Sequence, residues 1–175
     1  MIELVVTIAI AAVLIGLAAP SFTKVLQRNR IATEANSLTA DLQYARGQAI
    51  KEGLWVTVCI STDQATCSTT STNWGDGWIV FSDPNNNHVV DTTPSPGETV
   101  WRKQQGFSAS GSTDTFGDSA TKYFTYSRDG FLTIPATGAV DVKLTLQTVP
   151  ANSNATRCLT VSRIGRQTVS TGACS

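Results

Sequence analysis

The sequence predicts an α+β fold, one long N-terminal helix packed against antiparallel β-sheets. Three observations carry this expectation. Twenty uncharged residues, Leu4 to Thr23, pass without a loop into an amphipathic pattern. After Gly53 the period changes from helical to alternating and rich in Val, Ile, Thr and aromatic residues. Clusters of Asp, Asn, Gly and Pro then punctuate the chain at hairpin intervals.

The helix is predicted over roughly 2–52. Its first part, Leu4 to Thr23, spans about 30 Å at 1.5 Å per residue, the thickness of a bilayer core. No basic residue precedes that run, so a secretory signal peptide, with its basic start and short apolar core, fits poorly. In the second part Ile31, Ala35, Leu38, Leu42, Ala45 and Ala49 are spaced 4, 3, 4, 3, 4, one apolar stripe along one face. Arg30, Glu34, Asp41, Arg46, Lys51 and Glu52 lie between them, and Gly53 is the expected C-cap. Gly16 and Pro20 are the expected place for a bend or local unwinding. Three segments follow: 1–23, apolar all round; 24–53, amphipathic; and 54–175, a β-rich region.

Strands are expected at Leu54–Ile60, Gly77–Asp83, Thr99–Lys103, Tyr123–Ser127, Phe131–Ile134, Val140–Leu146, Arg157–Val161 and Gln167–Ser170. Residues 128–130 and 164–166 read as hairpin turns. Segments 61–73 and 104–121 read as Ser/Thr/Gly-rich loops. Trp55, Trp74, Trp78 and Trp101 are expected in the core or as loop anchors rather than as a sugar-binding surface, because Trp is highly buried on average.

Thirteen basic and thirteen acidic side chains cancel, so net charge alone points to no nucleic-acid or acidic partner. The four cysteines lack C-x-x-C spacing and His88 is the only histidine, which fits structural disulfides better than zinc or redox chemistry. The local pairs Cys59–Cys67 and Cys158–Cys174 would each close a short loop worth about 3 kcal/mol. The spacing leaves the crossed pairing open. Either pairing places this region in an oxidising compartment. Lys24, Arg28 and Arg30 follow the apolar run and, taken alone, argue the opposite side of a membrane.

No catalytic constellation, nucleotide-binding glycine motif, cofactor site or metal site stands out. The Asp83–Asn87 stretch begins like a calcium loop, but His88 replaces the required glycine and Pro94 the terminal glutamate, so it reads as a turn. Lys143, Arg157, Arg163 and Arg166 fall in a C-terminal stretch without acids and are candidate phosphate contacts.

Glu3 at the edge of the apolar run is the residue an ordinary membrane anchor does not explain. Met1-Ile2-Glu3, the run after it and Ala18-Ala19-Pro20-Ser21-Phe22 resemble the N-terminus of type IV pilins and type II secretion pseudopilins. The stretches NSLTADLQYARGQAIKEG, NWGDGWIVFSDPNNNHVVDTTPSPGETVWR and CLTVSRIGRQTVSTGAC resemble the GspH/FimT/FimU group of minor subunits. The resemblance implies a type IV pilin-like fold with no enzymatic activity. It implies a basic leader and a Phe-Thr pair ahead of Met1. Glu3 would pair with the N-terminal amine of a neighbouring subunit, and Glu3 and Pro20 would belong to the assembly and membrane helix. The partners implied are other minor and major pilins or pseudopilins, and the bacterial inner membrane before assembly, with a periplasmic C-terminal region. The pilus, at its tip, is the implied final location. Within this resemblance three roles compete: a FimT/FimU-like subunit that primes or caps a pilus, a GspH-like secretion pseudopilin, and a tip pilin that binds DNA through the arginines near Gly165.

Overall fold

The computed structural model describes residues 2–91, 93, 97–107, 114–117, 120–133 and 141–175, with backbone only at 14–21. Among the described residues one α-helix, α1 (Ile2–Glu52), is followed by nine strands, with one 3-10 turn (Trp74–Asp76) between the first two. The strands are β1 (Val56–Ile60), β2 (Gly77–Ser82), β3 (Val100–Gln105), β4 (Thr115–Gly117), β5 (Tyr123–Tyr126), β6 (Leu132–Thr133), β7 (Asp141–Gln147), β8 (Arg157–Ser162) and β9 (Gln167–Thr171). They form two antiparallel sheets, ordered β3-β2-β1-β5-β6 and β4-β7-β8-β9.

Helical backbone runs unbroken past Gly16 and Pro20, so the local unwinding expected there does not occur. The helix stops at Gly53. Its φ of +67° is open to glycine, and its N–H reaches back to the Ala49 carbonyl at 3.0 Å, closing the last turn.

All six stripe residues from Ile31 to Ala49 are fully buried. Val56, Val58 and Ile60 of β1, Phe124 and Tyr126 of β5, Leu144 and Leu146 of β7, and Leu159 and Val161 of β8 close over them in one continuous core. Both sheets therefore pack on the same helix face. Trp74 and Trp78 lie inside this core, whereas Trp55 and Trp101 are half-buried. Strands β1 and β2 are buried on both faces, because Cys59, Ile79 and Phe81 on the outer face are covered by Cys67, Val90, Val100 and Tyr123.

The eight expected strands are present with ends shifted by one or two residues; Ile134 and Val140 lie outside the described residues. The ninth, β4, falls within the segment expected to be loop. It has three residues and one buried side chain, Phe116, and it exists by pairing with β7, Phe116 opposite Leu146. Period-based reading has nothing to detect in so short a strand.

The polar residues flanking the stripe do not simply face water. Arg46 is half-buried, its Nε donating to the Gly130 carbonyl (3.0 Å) and its Nη1 directed at the Gly165 carbonyl (3.4 Å). Gly130 lies in the β5–β6 turn of the first sheet and Gly165 in the β8–β9 turn of the second. Gly165 has φ +77°, and a Cβ there would sit 2.8 Å from Arg46 Nε and from the Gly130 oxygen. Two further bonds cross the same seam. The Leu132 N–H donates to the Arg163 carbonyl (2.9 Å), and Gln167 Nε2 donates to Tyr126 Oη (3.0 Å). Burial pushes the Tyr126 phenol up to about 12, so it stays neutral and serves this bond as an acceptor.

Arg46→Ala should remove a charge-assisted link to both turns and lower stability by about 1.5–3 kcal/mol, read as a lower urea midpoint in Trp fluorescence. Arg46→Lys should recover only part of it, because one ammonium lacks the planar fork that addresses two carbonyls.

Candidate functional site

Among the described residues nothing else in the chain covers the first half of α1, whose side chains are described at 2–13 and 22–26. Ile2 is 83% exposed, Leu4 63%, Val5 65%, Val13 64% and Phe22 65%. The bond from Asn152 Nδ2 to Gln27 Oε1 (2.8 Å) ties α1 to the β-rich region, and burial begins at Ile31. Helical backbone over 2–26 spans roughly 37 Å, and its described side chains, at 2–13 and 22–26, are exposed and mostly apolar. Glu3 is exposed and makes no hydrogen bond or ion pair among the described residues. Pro20 lies within the helix, and its side chain is outside the described set. Among the described residues no helix is long and apolar enough to cross a membrane.

The four basic candidates do not converge on one patch. Lys143 pairs with Thr160 across β7–β8, three positions from Arg157. Strand parity therefore puts Lys143 and Arg157 on opposite faces. The Lys143 ammonium binds the carbonyl oxygen of Ser175 on the outer face, where Cys158 is also found. Arg157 starts β8 on the inner face, and its Nη1 donates to the carbonyls of Asn154, Ala155 and Thr156 (3.2, 3.3 and 2.8 Å). Arg163 and Arg166 sit at the far end of β8, about 20 Å from Arg157. They share one turn, are exposed, and have no side-chain partner among the described residues.

Arg157 instead meets a residue absent from the candidate set. With Arg28 of α1, Ser153, Asn154, Thr171 and Gly172 it lines an open groove of about 580 Å³ with no acid among its described lining residues. Arg28 is exposed and makes no hydrogen bond or ion pair among the described residues. The only sequence signal for it is its position just after the apolar run. Arg30, two residues on, is engaged elsewhere. It grips Asp114 with two bonds of 2.5 and 2.6 Å.

Two buried carboxylates on the same helix are treated differently. Asp41 accepts from Trp78 Nε1 (2.8 Å) and from Arg102 Nη1 (2.7 Å), and the Arg102 guanidinium lies 3.9 Å over the Tyr44 ring. Glu34 is fully buried and neither oxygen has a partner. Burial, and then the like charge of Asp114, push its pKa up to about 7 against the opposing pull of Arg30.

The disulfides join Cys59 to Cys67 (S–S 2.01 Å) and Cys158 to Cys174 (1.97 Å). Asp83 is buried, and its carboxylate accepts from Thr57 Oγ1 (2.6 Å) and from the N–H groups of Asn87 and His88 (3.0 and 3.1 Å). Those bonds hold 83–88 as a turn.

The family model described as "Type II transport protein GspH" matches residues 34–165. Two crystal forms of the type IV minor pilin FimU from Pseudomonas aeruginosa share the fold. In space group P21 the TM-score is 0.58 at 23% identity, covering 82% of this chain and 90% of that one. In space group P65 the TM-score is 0.53 at 22% identity, covering 79% and 91%. No curated protein matches the chain.

The folded Glu34 carboxyl holds its proton to higher pH than an unfolded glutamate, so the unfolded state binds fewer protons between about 4.5 and about 7. Stability should fall as pH rises through that window. Glu34→Gln should flatten that part of the profile, measured as Tm against pH in wild type and variant.

Proposed function

Since the chain belongs to the GspH family and is a minor pilin or pseudopilin, we propose that it helps prime or cap assembly of a type IV pilus. The observation that carries this reading is the division of α1. One half is buried under two sheets, while the other presents bare Val, Ile, Leu and Phe on every described side. Apolar surface on that scale requires a cover. In this reading the inner membrane covers it before assembly, with the β-rich region in the periplasm, and the helices of minor and major pilins cover it in the filament. Glu3 then finds a neighbour's N-terminal amine, the pairing that makes a carboxylate tolerable in an apolar bundle and sets subunit register. The absence of any partner for Glu3 among the described residues of its own chain supports this role.

The family description favours a second reading, a minor pseudopilin of a type II secretion system, built on the same physics. Co-purification separates the two: pilus minor subunits should accompany the protein under the first reading and secretion pseudopilins under the second. A third role, DNA capture, now rests on Arg163 and Arg166 alone, exposed together on one turn. Two phosphate contacts would give weak binding that falls steeply with salt and disappears in the Arg163→Ala/Arg166→Ala variant.

Glu3→Ala should leave a buried amine unpaired in the assembled state. A cost of about 3 kcal/mol would lower incorporation more than tenfold, measured as the protein recovered in sheared pili relative to the membrane fraction. Normal incorporation would remove Glu3 from assembly.

A further inference from the structure

The groove between α1 and the start of β8 has the chemistry of a phosphate site. Its lining takes Arg28 and Arg157 from different elements, adds Ser153 and Thr171, and has no acid among its described residues. Arg157 is held by three backbone carbonyls through Nη1 alone, which leaves Nε and Nη2 without partners among the described residues. That is a pre-oriented fork of the kind that binds phosphate oxygens in pairs. The Asn152–Gln27 bond ties the 152–154 loop to the helix, so both walls of the groove keep their spacing as one unit.

Position selects the source of the phosphate. Arg28 lies five residues beyond Thr23, the end of the uncharged run, or about 7.5 Å along the helix. A bilayer headgroup layer is about 5–8 Å deep on each side of its hydrocarbon core. Lys24 precedes Arg28 by four residues and so lies on the same helix face. With residues 4–23 in the membrane, the groove mouth stands at headgroup level.

We propose that Arg28 and Arg157 form a headgroup site that binds the phosphate of an anionic phospholipid while the subunit is anchored. The site rests on the anchoring reading above and deepens it. It would hold the β-rich region at a fixed height and orientation on the membrane, and the lipid would be released when the helix is drawn into the filament.

The test uses the full chain in nanodiscs of phosphatidylcholine alone or mixed with phosphatidylglycerol, read by hydrogen exchange at 153–157 and 171–172. Exchange there should slow about tenfold in the anionic discs only. Arg28→Gln should abolish the difference, whereas Arg163→Gln/Arg166→Gln, which removes more charge elsewhere, should keep it. Equal exchange in both discs, or an equal loss in the Arg163/Arg166 variant, would overturn the site while leaving anchoring intact. Failure of the chain to enter discs at all would remove the anchoring reading and the site with it. Inorganic phosphate or a short oligonucleotide slowing the same amides in phosphatidylcholine discs, dependent on Arg28, would reassign the groove to a soluble ligand and overturn the lipid assignment.

Discussion

Two sheets that share no strand are held in one relative position here chiefly by the buried face of α1, which packs against both. Ile31, Ala35, Leu38, Leu42, Ala45 and Ala49 are covered from one side by β1 and β5 and from the other by β7 and β8. The three alanines let strands approach the helix closely, and the larger residues fill the space between. Arg46 adds direction to this non-directional packing. Its guanidinium addresses a carbonyl in a turn of each sheet, at the end where the Leu132 N–H already bonds the Arg163 carbonyl. The glycine at 165 suits that arrangement, since its φ is +77° and a Cβ there would crowd Arg46 Nε and the Gly130 oxygen at 2.8 Å.

The contrast between Asp41 and Glu34 shows how unevenly this interface satisfies its polar groups. Asp41 receives a tryptophan N–H and an arginine, so its desolvation is offset by two bonds to a charged acceptor. Glu34 receives none, and its neighbour Arg30 is committed to Asp114. The carboxyl instead holds its proton up to about pH 7, the cheaper way to keep an acid out of water. The helix thus carries a well-paired acid at Asp41 and an unpaired one two turns closer to its N-terminus.

Function divides along the same helix. The C-terminal half is consumed by the fold, and the N-terminal half is left for other molecules. Electrostatics follow the division. Lys24 and Arg28 stand just past the apolar run, Arg157 joins Arg28 in one groove, and Arg163 and Arg166 stand apart at the far turn. A stretch of sequence without acids therefore becomes two separate basic features, with Lys143 occupied on the other face.

What the sequence determined by itself is whatever local period and turn chemistry encode: the helix limits, the stripe, the Gly53 cap, eight of the nine strands, and the motifs that point to the family. Its N-terminal pattern also singled out Glu3, because an acid beside twenty uncharged residues is anomalous whatever the fold. Tertiary structure alone decided how the strands divide into two sheets, that β4 exists, which cysteines join, and that Arg30, Asp41 and Arg46 serve the interior. It also separated Arg157 from Arg163 and brought Arg28 to it. These are pairings between residues far apart in the chain, set by strand register and by which surfaces remain to be covered. No window of neighbouring residues contains that information, because strand parity and sheet order depend on partners that only the folded chain supplies.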